Sequence, residues 1–267
     1  MPKLRQGPMA RKISVRGDYG WGVSTLLTLH PPTPNDRQPP FAGLLSQRCP
    51  DADAASRRRP GVIFGPPVVA ASALGAGSFD DSVIVRLDIA PDTLVPVGPT
   101  VARFEIDCSM DELDDALELA HPGESNPHPL SAPVAVFVAP DDHADAGWAA
   151  EVATRIAEAG AHPGLRAGPG PDEVADFLAV LAHSDAGFVA RVNSGAEALA
   201  ILAATVAALR GDDVRTAFVT PDPTRVAGLN QDAAEALRAV LLGIEVADAE
   251  EAERHLAANG ITATAAP

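Results

Sequence analysis

Charged residues alternate with apolar residues along two short segments that are rich in β-branched side chains. Successive side chains of a β-strand point to opposite faces, so each segment would have one apolar face and one face with opposite charges. The positions on these second faces are Ile84, Arg86 and Asp88 in residues 83–89, and Arg103, Glu105 and Asp107 in residues 101–107. By the same alternation, later strand-like segments add Arg166, Arg191 and Asn193.

These residue types would suit a site for a small anion. Arginine binds a carboxylate or a phosphate through two parallel hydrogen bonds. The candidate substrate-binding residues are Arg86, Asp88, Arg103, Arg166, Arg191 and Asn193. The candidate catalytic residues are Glu105 and Asp107, because either carboxylate would act as a general base if burial raised its pKa. Alternatively, the charged faces meet solvent and form salt bridges of small energetic value.

The order of the segments predicts an α/β fold. From residue 61 on, β-type runs alternate with longer runs of helical spacing, joined by short connections, which predicts a parallel sheet covered by helices. We count five to six β/α units and no Gly-rich nucleotide turn, which favours a (β/α) barrel, complete, incomplete or open, over a doubly wound sheet. Inside a barrel the charges must pair, and a site is expected at the C-terminal ends of the strands.

The first 60 residues differ from the rest of the chain. They carry 10 Lys and Arg against 4 Asp and Glu, whereas residues 61–267 carry 10 and 32. They also hold 9 of the 25 prolines, and proline disfavours both helix and sheet. We predict a disordered or loosely attached segment over 1–60 and one barrel-like domain over 61–267. The alternatives are a basic arm that docks on an anionic partner and a gene start placed too early.

Other motifs give weaker signals. The loop Pro140–Asp145 contains Asp and His, which bind divalent metals, but acidic residues there also favour a helix N-terminus. The turn Asn193–Gly195 would offer free amides to an anion, although Glu197 would repel it. Cys49 and Cys108 make neither a disulfide framework nor a cysteine-rich metal site. We therefore predict no metal site, and the sequence identifies no cofactor.

Three stretches carry a resemblance to a known group of proteins: Gly164–Gly168, Phe188–Val192 and Leu241–Val246. Over roughly the distal third, the chain resembles uncharacterised conserved proteins of high-GC actinobacteria. The resemblance implies a barrel-like fold and no particular reaction. Those relatives carry Lys or Arg-Thr-Gly-Gly at the first stretch and a histidine pair after the second. Here Arg166–Pro169 and Asn193–Gly195 stand at these places, so a site of the relatives does not carry over.

Net charge and hydropathy restrict the classes of function that the chain is expected to have. A net charge of −16 argues against nonspecific nucleic-acid binding. The sequence has no apolar run of about 18 residues, so we expect no membrane-spanning helix and a cytoplasmic protein. The favoured function is binding or conversion of a small anionic metabolite, a carboxylate or a phosphate, at the C-terminal face of the barrel. The alternative is a noncatalytic protein of the same fold that binds a partner.

Overall fold

Eight parallel β-strands close into a barrel in the computed structural model, with each strand hydrogen-bonded to its neighbours and β8 to β1. The structure describes residues 39–75, 82–90, 100–120, 130, 132–141 and 145–263. The strands are β1 (Leu45–Cys49), β2 (Val68–Ala70), β3 (Val83–Leu87), β4 (Val101–Ser109), β5 (Val134–Ala139), β6 (His162–Leu165), β7 (Phe188–Val192) and β8 (Leu241–Val246). The predicted α/β barrel is therefore confirmed, and the barrel is closed.

Helices follow or connect the strands and cover the outside of the barrel. They are α1 (Ala52–Ser56), α2 (Leu113–Ala120), α3 (Trp148–Glu158), α4 (Pro171–Leu181), α5 (Gly195–Arg210), α6 (Val214–Val219), α7 (Pro223–Ala227), α8 (Gln231–Val240) and α9 (Ala249–Ala258). A 3-10 turn covers Ala71–Ala73. Within the described residues, none of these helices has the length and apolar character needed to cross a lipid bilayer.

The apolar faces of the strands pack under these helices. On β5, Val134, Val136 and Val138 are buried in a cluster with side chains of α2 and α3. On β7, Phe188 packs edge-to-face on Phe177 of α4, with their ring centroids 5.4 Å apart. The opposite side chains of each strand face the barrel axis, which is where the charged residues of β4 and β7 lie.

The barrel begins earlier in the chain than the sequence predicts. β1 pairs with β8, and α1 follows β1, so part of the predicted 1–60 segment belongs to the barrel. The sequence predicts only five to six units, fewer than the eight strands of the barrel. The count falls short because β1 lies in a proline-rich region and β2 has only three residues. The expected boundary at residue 61 is therefore wrong. Residues 1–38 lie outside the described part of the chain.

Candidate functional site

Arg191 of β7 lies at the centre of the barrel and binds three carboxylates, two of them on β4 and one on β8. Its Nε donates to Glu245 Oε2 at 2.7 Å, its Nη2 to Glu105 Oε2 at 3.1 Å, and its Nη1 to Asp107 Oδ1. The ring of Phe137 on β5 lies against the guanidinium, with Cζ 3.6 Å from the ring centroid. The carboxylate charges outweigh burial and raise the pKa of Arg191 further above its ordinary range.

Glu105 is held between two arginines and is fully buried. Arg103 donates to its Oε1 from Nε at 3.1 Å and from Nη2 at 2.7 Å, while Arg191 donates to its Oε2. Burial raises the pKa of Glu105, but the charge of Arg103, a hydrogen bond from Glu245 and the charge of Arg191 outweigh it, so the pKa is lowered. The condition for Glu105 to act as a base, a pKa raised by burial, is not met.

Glu245 of β8 is a buried acid that no pattern in the sequence reveals. Its side chain is 0% exposed, and its Oε1 accepts no hydrogen bond. Arg48 of β1 approaches this oxygen, with its Nε 3.6 Å from Oε1. Burial and the charge of Glu105 raise the pKa of Glu245 to about 7. At pH 7 the Glu245 carboxyl is therefore protonated in about half of the molecules.

Two arginines at the C-terminal ends of the strands extend this arrangement towards the mouth of the barrel. Arg166 follows β6, and its Nη1 lies 3.7 Å from Asp107 Oδ1. Arg48 lies 3.6 Å from Glu245, and the side chains of Arg166 and Arg48 are 42% and 30% exposed. Asp107 is also accessible, at 38% exposure. We call the ion-paired set Arg48, Arg103, Glu105, Asp107, Arg166, Arg191 and Glu245 the axial charge network.

The other predicted binding residues lie outside this network. Asp88 is exposed and accepts hydrogen bonds from the backbone and hydroxyl of Ser72, and the hydroxyl bond is the main reason that its pKa is lowered. Arg86 lies level with Glu105 in the β3–β4 register, but within the described residues it forms no ion pair with the network. Asn193 is exposed at the end of β7. The structure therefore unites Arg103, Glu105, Asp107, Arg166 and Arg191 but not these three.

The amides of the Asn193–Gly195 turn are occupied by the protein's own carboxylates. Glu197 accepts from the backbone N–H groups of Asn193 at 2.8 Å and Gly168 at 2.6 Å. Glu251 accepts from Gly195 N–H at 2.9 Å. An anion would have to displace two carboxylates, so this turn does not serve as the predicted alternative anion site.

The remaining sequence candidates gain no chemical role. Burial and the charges of Glu112 and Asp107 raise the pKa of the Cys108 thiol to about 11, which leaves little reactive thiolate. In the loop Pro140–Asp145, residues 142–144 lie outside the described residues. Among the residues that are described, no group of three His, Cys, Asp or Glu side chains is placed to hold a metal ion.

Comparison of the chain with protein-family models, with curated proteins and with solved structures finds no match.

Proposed function

We propose that this protein binds a small carboxylate or phosphate at the C-terminal mouth of its barrel. The axial charge network carries the proposal. It contains four arginines and three carboxyl groups, one of which, Glu245, has a pKa near 7. The network is therefore positive in a chain whose net charge is −16. Uncompensated charge in a protein interior is costly, and a bound anion would offset it.

Arg48 and Arg166 are the ligand-binding groups in this proposal. Both are partly exposed, and both lie more than 3.5 Å from their nearest carboxylates, beyond hydrogen-bond distance. Their guanidinium groups thus retain donors for a ligand, whereas those of Arg191 are committed to three carboxylates. A ligand anion at the mouth would receive the two-point contacts that arginine makes with carboxylates and phosphates.

Asp107 is the carboxylate that would accept a proton from such a ligand. It is 38% exposed, whereas Glu105 has no exposed surface. Asp107 is also fixed in place, because Arg191 donates to it and Arg166 lies beside it. Of the two predicted catalytic residues, we therefore retain Asp107 as the candidate base and assign Glu105 a positioning role.

The test is a thermal-unfolding titration with phosphate, succinate and citrate, each compared with sodium chloride of equal ionic strength. A ligand at 100 times its dissociation constant adds about 2.7 kcal/mol of stability, which raises Tm by roughly 5–10 °C for a domain of this size. R166Q and R48Q should each weaken this stabilisation at least tenfold. The control is R254Q, which removes an exposed arginine of α9.

If none of these anions stabilises the protein beyond the salt control, or if R254Q acts like R166Q, the proposal fails. Partner binding then becomes the stronger candidate. It has less support at present, because the only large apolar side chains exposed among the described residues are Val62 in the turn before β2, Leu209 on α5 and Val219 on α6.

A further inference from the structure

A second group of basic side chains lies at the opposite, N-terminal end of the barrel. Arg103 is the third residue of β4, His162 is the first residue of β6, and Arg238 is in the last turn of α8, just before β8. The parallel strands bring these three places to one end of the barrel. Burial and, to a smaller extent, the charge of Arg103 lower the pKa of both His162 and Arg238.

Arg238 is a half-buried cation without a carboxylate partner. Its Nη1 donates to the backbone oxygen of Leu241 at 2.8 Å. Among the described residues, no Asp or Glu oxygen lies within 4.0 Å of its guanidinium, in contrast to the arginines of the axial charge network. Burial, followed by the charge of Arg103, lowers the pKa of Arg238 to about 10.

One nitrogen of Arg103 makes no hydrogen bond with the described residues. Its Nε and Nη2 donate to Glu105, which leaves Nη1 for another acceptor. Gly243 has no side chain, and a Cβ at this residue would lie 3.9 Å from Arg103 Nη1. The glycine therefore leaves space beside this nitrogen. The one buried side-chain N or O atom without a partner among the described residues is Glu245 Oε1. The unused N–H groups of Arg103 and Arg238 are therefore reached by solvent.

His162 adds a third nitrogen to this end of the barrel. Its Nδ1 lies 3.1 Å from the backbone oxygen of Gly187, an acceptor, so Nδ1 carries the hydrogen and Nε2 remains. Burial and, to a smaller extent, the charge of Arg103 lower its pKa. An anion nearby would act in the opposite direction, because it would stabilise the protonated ring.

We propose that the N-terminal end of the barrel binds a small inorganic anion, a halide or phosphate, between Arg103 and Arg238. Arg103 has one carboxylate partner, Glu105, which it shares with Arg191, and Arg238 has none among the described residues, so a further negative charge would stabilise both cations. An anion there would receive hydrogen bonds from both guanidinium groups and would tie α8 to β4. This site is separate from the proposed ligand site at the mouth, because Glu105 and Arg191 lie between them.

The test is a crystal of the full chain grown or soaked in sodium bromide, with the bromide located by its anomalous scattering. We expect a peak about 3.3 Å from nitrogens of Arg103 and Arg238. In solution, the pKa of His162 is measured by NMR pH titration in the presence of bromide or phosphate, at equal ionic strength. Either anion, when bound, should raise this pKa. R238Q should abolish the response and R238K should keep most of it, whereas R254Q should match the wild type.

The proposal is overturned if no bromide peak appears there, if a carboxylate of the chain fills the position, or if R238Q leaves the response of His162 intact. R166Q separates the two proposed sites. It should weaken stabilisation by succinate and leave the bromide peak and the His162 response unchanged. Loss of all responses in R166Q would contradict the existence of a separate site.

Discussion

The guanidinium of Arg191 lies on the ring of Phe137, with its Cζ 3.6 Å from the ring centroid. Gly164 on the adjacent strand β6 makes this contact possible, because a Cβ at residue 164 would lie 2.5 Å from the Phe137 ring. The absence of a side chain at Gly164 thus leaves room for the ring of Phe137, and this ring packs against the guanidinium of Arg191. The contact also adds a cation–π attraction that strengthens when the cation is removed from water.

We expect G164A to destabilise the protein by about 1–3 kcal/mol, because the new methyl group would push the Phe137 ring away from Arg191. The measurement is chemical denaturation monitored by circular dichroism. G243A is the matched control, since its methyl group would also face the barrel axis but would meet its nearest atoms at 3.7 Å and 3.9 Å. Equal stability losses in the two variants would refute this account of Gly164.

Removal of the Arg191 charge should have a larger effect. R191M leaves three carboxyl groups without their shared cation, and breaking a buried ion pair costs about 3–5 kcal/mol. If R191M does not fold, R191K provides the measurement, because it keeps the charge but loses the three-way contact. Adding E245Q to either variant should restore at least about 1 kcal/mol of the free energy of unfolding that the first substitution removes. Additive effects of the two substitutions would show that Arg191 and Glu245 are not coupled.

The protonated state of Glu245 predicts the pH dependence of stability. Its pKa is about 7 in the folded protein against an ordinary value of 4.5, so between these values the folded chain holds a proton that the unfolded chain releases. The free energy of unfolding should therefore fall as pH rises from 4.5 to 7, by about 1.4 kcal/mol per pH unit at most. The stabilising contribution is complete below pH 4.5 and lost above pH 7.

E245Q should remove this slope and should be more stable than the wild type at pH 8. Denaturant titrations at several pH values measure it, with E158Q on the exposed face of α3 as the control. A slope that persists in E245Q would assign the proton to another group. Glu105 does not interfere in this window, because its lowered pKa affects stability only below pH 4.5.

Glu197 should hold the loops after β6 and β7 in a fixed conformation. Its two carboxylate oxygens accept from Gly168 N–H and Asn193 N–H, and a glutamine retains one acceptor oxygen. E197Q therefore loses at least one charge-assisted hydrogen bond, worth about 1.5–3 kcal/mol. Amide hydrogen exchange should accelerate at Gly168 or Asn193 in this variant. Unchanged exchange at both amides would disprove this role, and E158Q serves again as the control.

The alternation in residues 101–107 was sufficient to predict which side chains of β4 face the barrel axis, because a single strand determines that parity. Glu245 was missed although its neighbours Ile244 and Val246 suggested a strand, since a single charge in a short strand reveals no pattern. Arg48 was missed because β1 lies in the proline-rich region. Which arginine meets which carboxylate depends on the register around the closed barrel, and local sequence does not encode it.

The axial charge network also limits how the sequence can change over evolutionary time. An apolar barrel interior accepts single substitutions of similar volume, each at small cost. Here Arg191 shares its charge among Glu105, Asp107 and Glu245, and Arg103 and Arg166 depend on two of these. A replacement at one position leaves opposite charges unbalanced at several others. Descendants should therefore keep these residues together or replace them as a set.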